Sequence, residues 1–360
     1  MTDAAACPVE SEHAAGRDSE SSSIAPWLVI VNPVAGRSQR DARAWRAMEQ
    51  ALRQAGLAYD IEWTTGPGDG ARIAAAAWQQ GRERFLVAGG DGSVHDVVNG
   101  LMAAQHAQGD PASPDPRRMP TVVPLPLGTG NDWSRSLDLP GNPVALAAII
   151  RRDHAVPHDV GRIEFPAADD TPTQTCWFIN VAGAGFDAHV IERMPARTPS
   201  KFAYLAGALR ELARYRSPAF RLTADDAPEA AASRLLLAFV ANGRYCGGRM
   251  HIAPTAQQDD GAFDLVTIAD VGLLRALPKL AKLYVGNLLR DPLVTHRLVR
   301  KVRIDAQPAA GIEADGQFIG RTPAVISVQR GALLTLRGPS LLPQVRGACV
   351  TRRRSDADTA

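Results

Sequence analysis

Residues 84–105 read "RFLVAGGDGSVHDVVNGLMAAQ". The first part is a short apolar run that ends on Gly89 and Gly90; from Ser93 onward the apolar residues recur at helical spacing. A buried strand that turns through glycine directly into a helix is the start of a βαβ unit. The same succession stands before it. "PWLVIVNPVAGRSQR" (26–40) gives a β-branched strand over Trp27 to Val31, closed by Asn32-Pro33. Arg40 to Gly56 then carries Trp45, Met48 and Leu52 at three- and four-residue spacing. "YDIEWTT" (59–65) is a second strand, and "GPGDGARIAAAAWQQG" (66–81) a glycine-rich turn followed by an alanine-rich helix. Beyond the Pro-, Asp- and Gly-rich loop "HAQGDPASPDPRRMP" (106–120), "TVVPLPLGTGNDWSRSL" (121–137) adds a strand, a turn and a helix start. Alternation with short connections predicts a parallel α/β domain over residues 24–158.

The character changes near "HDVGRIEF" (158–165). Short strands follow: "TCWFINVAG" (175–183), "FRLTAD" (220–225), "RLLLAFVANG" (234–243), "GAFDLVTIAD" (261–270), "VRIDA" (302–306), "GIEADGQFIG" (311–320) and "VISVQ" (325–329). They predict an all-β sandwich domain over 159–324. Two helical segments interrupt it, "SKFAYLAGALRELARYR" (200–216) and "GLLRALPKLAKLYVGNLL" (272–289).

At 360 residues the chain is comfortable for two domains, and a net charge of +2 gives no bulk electrostatic case for nucleic acid. Cys7, Cys176, Cys246 and Cys349 are scattered and form no C-x-x-C. With no signal-like start, they point to a reducing cytosol. Apolar runs such as "VALAAII" are too short to span a bilayer. Residues 1–23 and 346–360 read as disordered, polar tails.

Three loops after strands share one chemistry: "NPVAGR" (32–37), "GGDGS" (89–93) and "PLGTGND" (126–132). In a parallel α/β sheet such loops meet at the carboxyl edge, where ligands bind. Their glycines expose amides, and the helix N-termini behind them favour negative charge. A polyphosphate ligand is the expectation. No G-x-x-x-x-G-K-[ST] occurs, and no G-x-G-x-x-G follows the first strand, so neither a P-loop nor a dinucleotide fingerprint is present.

"VAGGDGSVHDVVNGL" and "PLPLGTGNDWSRSL", with "VNPVAGR" before them, closely resemble the bacterial diacylglycerol kinase family of lipid kinases, which shares its nucleotide fold with NAD kinases and phosphofructokinases. The resemblance continues through "HDVGRI", "FINVAGAGFDAHV", "ANGRYCGGRMHIAPTAQQDDGAFDL" and "IEADGQFIG", covering roughly residues 26–340. It implies an ATP-binding first domain, a sandwich second domain, a cleft between them as active site, and a last segment, about 325–345, returning to the first domain. It also implies that Asn32, Gly89, Gly90, Asp91, Gly92, Ser93, Gly128, Thr129 and Asn131 line the nucleotide, with Thr64 or Thr65 on its phosphate side. Arg37 adds a fixed positive charge or is simply an exposed loop residue. Asp91, Asp132 and Asp159 match the aspartates of a magnesium and water network. Read on their own, Asp132 is equally a helix cap and Asp159 a turn former. Asp315, in "EADGQ", matches the family's candidate general base.

One departure stands out: Gln317 occupies a position where the family usually has glutamate. Glutamine keeps the shape and hydrogen bonding but loses the charge. Metal affinity weakens if that position helps hold the cation, and little changes if it orients a loop. Glu313, on the same side of the strand, is a candidate to compensate. "APTAQQDDGAF" (253–263) matches a stretch that holds a structural divalent ion in several family members, with Asp260 as a ligand; a plain Asp-Gly hairpin turn is the alternative.

A lipid substrate must be met at a membrane. The segment 200–216 puts Phe202, Leu205, Leu209 and Leu212 on one face with Lys201, Arg210, Arg214 and Arg216 around it, and 272–289 adds Arg275, Lys279 and Lys282. Such helices either lie on anionic membranes or pack on the sandwich. Arg135 matches a family position near the membrane-facing cleft. The expectation is therefore an ATP- and magnesium-dependent kinase that phosphorylates a lipid alcohol, diacylglycerol first. It would be cytoplasmic, peripheral at the inner face of the membrane, and a candidate homodimer. A sphingoid base or phosphatidylglycerol as acceptor, an NAD kinase, and a nucleotide- or lipid-binding protein without turnover are the alternatives.

Overall fold

The computed structural model describes residues 25–33, 39–108, 118–166, 174–193, 201–225, 227–228, 231–270 and 286–339. Arg37, Arg275, Lys279, Lys282 and both predicted tails lie outside the described residues.

The first strand, β1 (Trp27–Val31), is buried at all five positions, as a strand covered on both faces must be. It pairs in parallel with β2 (Tyr59–Trp63) and β3 (Arg84–Gly89), and β3 pairs with β4 (Thr121–Pro126), giving the order β2-β1-β3-β4. The crossovers are α1 (Gln39–Gln54), α2 (Asp69–Gln79) and α3 (Asp91–Gln108). After β4 come the single-turn α4 (Asp132–Ser136) and α5 (Pro143–Arg152). The latter is the apolar run "VALAAII", made helical by an Asn142 cap on the Ala145 amide (3.1 Å) and Pro143 in its first turn.

The second half holds β5 (Ala155–Phe165), β6 (Gln174–Phe178), β7 (Val181–Gly185), α6 (Phe186–Arg193), α7 (Lys201–Arg214), β8 (Ala219–Ala224) and β9 (Ser233–Ala241). The hairpin β10 (Tyr245–Cys246) and β11 (Met250–His251) follows, then β12 (Phe263–Ala269), β13 (Val294–Val299), β14 (Lys301–Gln307), β15 (Gly311–Ala314), β16 (Gln317–Arg321) and β17 (Ala324–Leu336). One layer is β6-β5-β17-β14-β8 and the other β16-β15-β7-β9-β12-β13; they meet at a corner where β8 pairs with β9. Ile163, Phe178, Val302 and Ile326 of the first layer pack against Ala182, Val240, Phe263 and Ile312 of the second. The fold is thus a parallel α/β unit joined to an antiparallel sandwich.

The expected single strand "TCWFINVAG" is two, β6 and β7, broken at Ile179-Asn180. "FDAHVIER" continues from β7 as the helix α6 without an intervening turn. The long strand β17 joins the two halves. Its first part pairs with β14 and β5, a bulge follows between Gln329 and Leu333, and Leu334 then meets Thr121 of β4 in parallel. At the bulge Gly331 adopts φ 56°, and its amide donates to Asp159 Oδ1 (2.7 Å). The other oxygen of Asp159 accepts from the Gly261 amide (2.7 Å), and its side chain is fully buried.

Asp159→Ala removes both acceptors and orphans two amides in the interior. It should lower the unfolding free energy by about 3 kcal/mol. Denaturant titration checks this, and a loss below about 1 kcal/mol would show that the bulge is held by other means.

Candidate active site

The loops after β1, β3 and β4 come together at the carboxyl edge of the parallel sheet. Asn32 donates from Nδ2 to Ser93 Oγ (2.9 Å), and the Gly128 amide donates to the Gly89 carbonyl (3.2 Å). Gly90 and Gly128 touch backbone to backbone: a Cβ on Gly128 would lie 2.5 Å from Gly90 Cα. Asn131 closes its own loop in a left-handed conformation (φ 54°), with Oδ1 accepting from the Gly128 amide and Nδ2 donating to its carbonyl. Thr129 is exposed at the loop tip. A cleft of about 150 Å³ opens beside these loops, lined in part by Asn32, Thr64, Gly66, Gly70, Ser93 and Asp96. Thr65 turns its amide (2.8 Å) and hydroxyl to Asp69 Oδ2, and these bonds pull Asp69 down to about 2.

Asp91 opens α3, and its Oδ1 accepts from the amides of Asp132 (2.8 Å) and Trp133 (3.3 Å) at the head of α4. Burial raises its pKa to about 6, and the neighbouring Asp132 charge adds to the rise. Asp132 takes the Gly248 amide (2.7 Å) and the Arg249 amide (2.9 Å), which fixes the β10–β11 hairpin against α4. Arg135 folds back on Asp132 Oδ1 (3.0 Å) and on the Gly130 carbonyl. Asp159 makes its carboxylate contacts at Gly261 and Gly331, as described above. Asp260 is exposed and accepts from the Ala262 amide (3.0 Å) in the adjoining turn.

Asp315 sits at the tip of the β15–β16 hairpin with φ 49°. Its Oδ1 accepts from the amides of Asn180 (2.9 Å) and Val181 (3.2 Å), and its Oδ2 from the Ile179 amide (3.0 Å). These bonds divide the expected strand into β6 and β7. From the opposite side His95 Nδ1 of α3 reaches Asp315 Oδ2 at 3.2 Å. Sequence reading missed His95. The available signal was the polar series Asp91, His95, Asn99 at one-turn intervals along α3. Gln317 approaches the same helix, its Nε2 3.4 Å from the Gly92 carbonyl. The helix that starts at "GGDGS" and the turn of "EADGQ" therefore meet, through His95–Asp315 and Gln317–Gly92.

Glu313 does not turn toward Gln317. It is buried, its Oε2 accepts from the Gly316 amide (2.7 Å), and its Oε1 is directed over Gly183. A Cβ on Gly183 would lie 2.9 Å from that oxygen and 1.6 Å from Asp187 Oδ2, so this glycine makes room for two carboxyl groups at close quarters. Neither Asp187 oxygen nor Glu313 Oε1 has a hydrogen-bond partner among the described residues. Burial raises the Asp187 pKa to about 7, and burial with the nearby Asp187 charge raises Glu313 well above its ordinary range.

Among the described residues no three His, Cys, Asp or Glu side chains converge as a closed metal site. Magnesium at a nucleotide needs less: one or two carboxylates, with phosphate oxygens and water completing the shell. Asp91 fits that need. Its Oδ2 accepts none of the bonds above, faces the open side of Gly130, and belongs to a carboxylate short of positive neighbours.

Residues 26–163 match the diacylglycerol kinase catalytic domain, and residues 180–337 match the YegS C-terminal NAD kinase beta sandwich-like domain. A diacylglycerol kinase of Mycobacterium tuberculosis is 33% identical over 319 residues, which cover 86% of this chain and 94% of that one. A "Probable lipid kinase YegS-like" of Xanthomonas euvesicatoria is 31% identical over 249 residues, 68% of this chain and 74% of the relative. A Bacillus anthracis diacylglycerol kinase crystal structure superposes with a TM-score of 0.64 over 88% of this chain and 98% of its own. At 22% identity that likeness is one of fold.

Gly128→Ala drives a methyl into Gly90 backbone and should separate the two loops. Nucleotide affinity is expected to fall at least about tenfold with a small change in melting temperature. Calorimetric titration with ATP measures it, and unchanged affinity would remove these loops from the nucleotide site. Asp187 binds its proton more tightly in the folded chain than in the unfolded one, so its contribution to stability falls as pH rises from about 4 through about 7. Asp187→Asn should therefore gain stability over the wild type with rising pH, visible as melting curves that diverge between about pH 4 and about pH 7. Parallel curves would mean that the acid pair is not strained.

Proposed function

The chain belongs to the diacylglycerol kinase-like lipid kinases, and we propose that it transfers the γ-phosphate of ATP to a lipid hydroxyl, with diacylglycerol as acceptor and phosphatidic acid as product. The observation that carries this reading is the meeting of α3, which starts at the phosphate-type loop, with the Asp315 turn, through His95–Asp315 and Gln317–Gly92.

The backbone of Gly89, Gly90, Gly92, Ser93, Gly128 and Thr129 cradles the phosphates, with Asn32, Thr64, Thr65 and Asn131 shaping the loops around them. Arg37 supplies charge from the first loop. Asp91 holds magnesium, with Asp132 and Asp159 supporting that network through the loops they fix; when bound, the cation offsets the charge of the transferring phosphoryl group. Asp315 accepts the hydrogen bond of the lipid hydroxyl, aligns its oxygen with the γ-phosphorus and takes its proton as the new O–P bond forms and the bond to the leaving ADP breaks. In a loose phosphoryl-transfer transition state such alignment matters more than full proton removal.

No described helix is long and apolar enough to cross a membrane. The lipid is therefore met by surface docking in this reading. In α7, Leu212 is buried while Arg210 and Arg214 are exposed, so the end of the helix offers basic residues outward.

Purified protein with γ-labelled ATP, magnesium and diacylglycerol-containing vesicles should place label in chloroform-soluble lipid. Asp315→Asn and Asp91→Asn should each lower the rate by about a hundredfold or more. Label in NADP with none in lipid would overturn the lipid reading, and full activity of either variant would remove that residue from the mechanism.

A further inference from the structure

We infer that His95 is a positioning residue for this reaction. From α3, on the nucleotide side, it pins the Asp315 carboxylate of the facing half in the orientation that receives the acceptor hydroxyl. The inference rests on the reading of Asp315 given above.

Asp315 and Gly316 form the two-residue turn of the β15–β16 hairpin, with φ 49° and 85°, the left-handed pair that Asp-Gly favours, so the backbone presents the carboxylate and its partners must orient it. The amides of Ile179, Asn180 and Val181 fix the carboxylate from within its own half. They carry no information about where the phosphates lie. His95 supplies it. The two side chains are 7% and 2% exposed, and their contact crosses from α3 to the β15–β16 turn.

The ring of His95 is itself fixed. Its Nε2 lies against Cys176 Sγ (3.9 Å), on β6. One turn further along α3, Asn99 accepts from the Trp177 amide (2.9 Å) and donates to the Trp177 carbonyl (2.8 Å), standing in for a neighbouring strand. One turn earlier, Asp91 starts the helix at the phosphate loops. A single rigid element thus carries the phosphate-side aspartate, the pin for Asp315 and the clamp on β6. The separation between phosphorus and the hydroxyl-aligning oxygen is then set by helix geometry, which is how a protein holds reactants in line.

The charge on His95 fits the task. Burial alone would lower its pKa, but the hydrogen bond to Asp315 and the Cys176 contact outweigh it and raise the value to about 10. Asp96 and Glu313 also act on this ring by their charges. The imidazolium therefore persists through neutral pH and is lost as pH rises toward 10.

The test combines two variants, a pH profile and a direct titration. His95→Leu removes donor and charge, and His95→Gln keeps a donor. The expected result is a fall in kcat of at least about tenfold for leucine with KM for ATP within about twofold, and partial rescue by glutamine. The wild-type alkaline limb of kcat should be absent in His95→Gln. Nitrogen NMR should show the His95 imidazole titrating well above its ordinary value, and shifting down in Asp315→Asn. Wild-type kcat in a folded His95→Leu protein, or a His95 titration indifferent to Asp315→Asn, overturns the inference. If His95→Leu does not fold, the glutamine profile and the NMR titration decide. If Asp315→Asn keeps full activity while the titration still reports the pair, the failure lies in the reading of Asp315, and the positioning role falls with it.

Discussion

Both oxygens of Asp159 end on backbone amides, one at the bulge of β17 and one in the turn before β12. The architecture depends on that pair of bonds. The strand β17 stays antiparallel to β5 on both sides of its bulge, while its other edge passes from antiparallel β14 to parallel β4, and the bulge lies at that change of partner. A bulge leaves an amide without its ladder partner, and a buried amide needs one. Asp159 provides it, and its own backbone is held in turn: its amide donates to Gln258 (2.7 Å), and its carbonyl accepts from Asn242 (2.7 Å) and His158 (2.6 Å). The cleft exists because the two sheets share this strand.

The other acids of the site work by the same means. Asp91 joins α3 to α4, Asp132 joins α4 to the β10–β11 hairpin, and Asp315 joins the β15–β16 turn to the break between β6 and β7. Each bond is charge-assisted and individually favourable. Their sum brings negative charges close together, and burial, with the Asp132 and Asp315 charges adding to it, pushes Asp91 up to about 6. Two buried histidines answer that field differently. His158 is enclosed between Trp133, which can only donate to its Nε2 (3.0 Å), and the Asp159 carbonyl, which can only accept from Nδ1; burial lowers it to about 4 and it stays neutral. His95 faces a carboxylate and is raised instead.

The α/β unit was legible because its signals are local: β-branched runs, glycine turns and helical periods repeat within about thirty residues. The loops of the site were legible for the same reason, and their contacts bring Asn32, Ser93, Gly128 and Asn131 together as expected. What was not legible depends on partners far along the chain. "TCWFINVAG" has every strand preference, and it breaks because a carboxylate 135 residues later takes the amide of Asn180. Glu313 was placed by strand alternation beside Gln317, but the free Gly316 amide and the space over Gly183 draw it inward. His95 lay within a quoted motif, yet a histidine on a helix is uninformative until the opposite wall supplies Asp315.

That opposite wall also explains Gln317, where the family usually has glutamate. Its amide nitrogen points at the Gly92 carbonyl, and its side chain also holds down the pKa of Asp96, which burial raises. Both neighbours are acceptors. A carboxylate, which can only accept, would meet a carbonyl and another carboxylate with no donor between them. Glutamine can donate there, so at this edge its neutrality is matched to its surroundings. The charge balance points the same way. Asp91, Asp96, Asp132 and Asp315 already populate the cleft, and burial together with the Asp132 and Asp315 charges leaves Asp91 half protonated near pH 6. A further negative charge would push Asp91 higher and weaken the carboxylate best placed for a cation. An uncharged residue at 317 preserves the ionisation of Asp91.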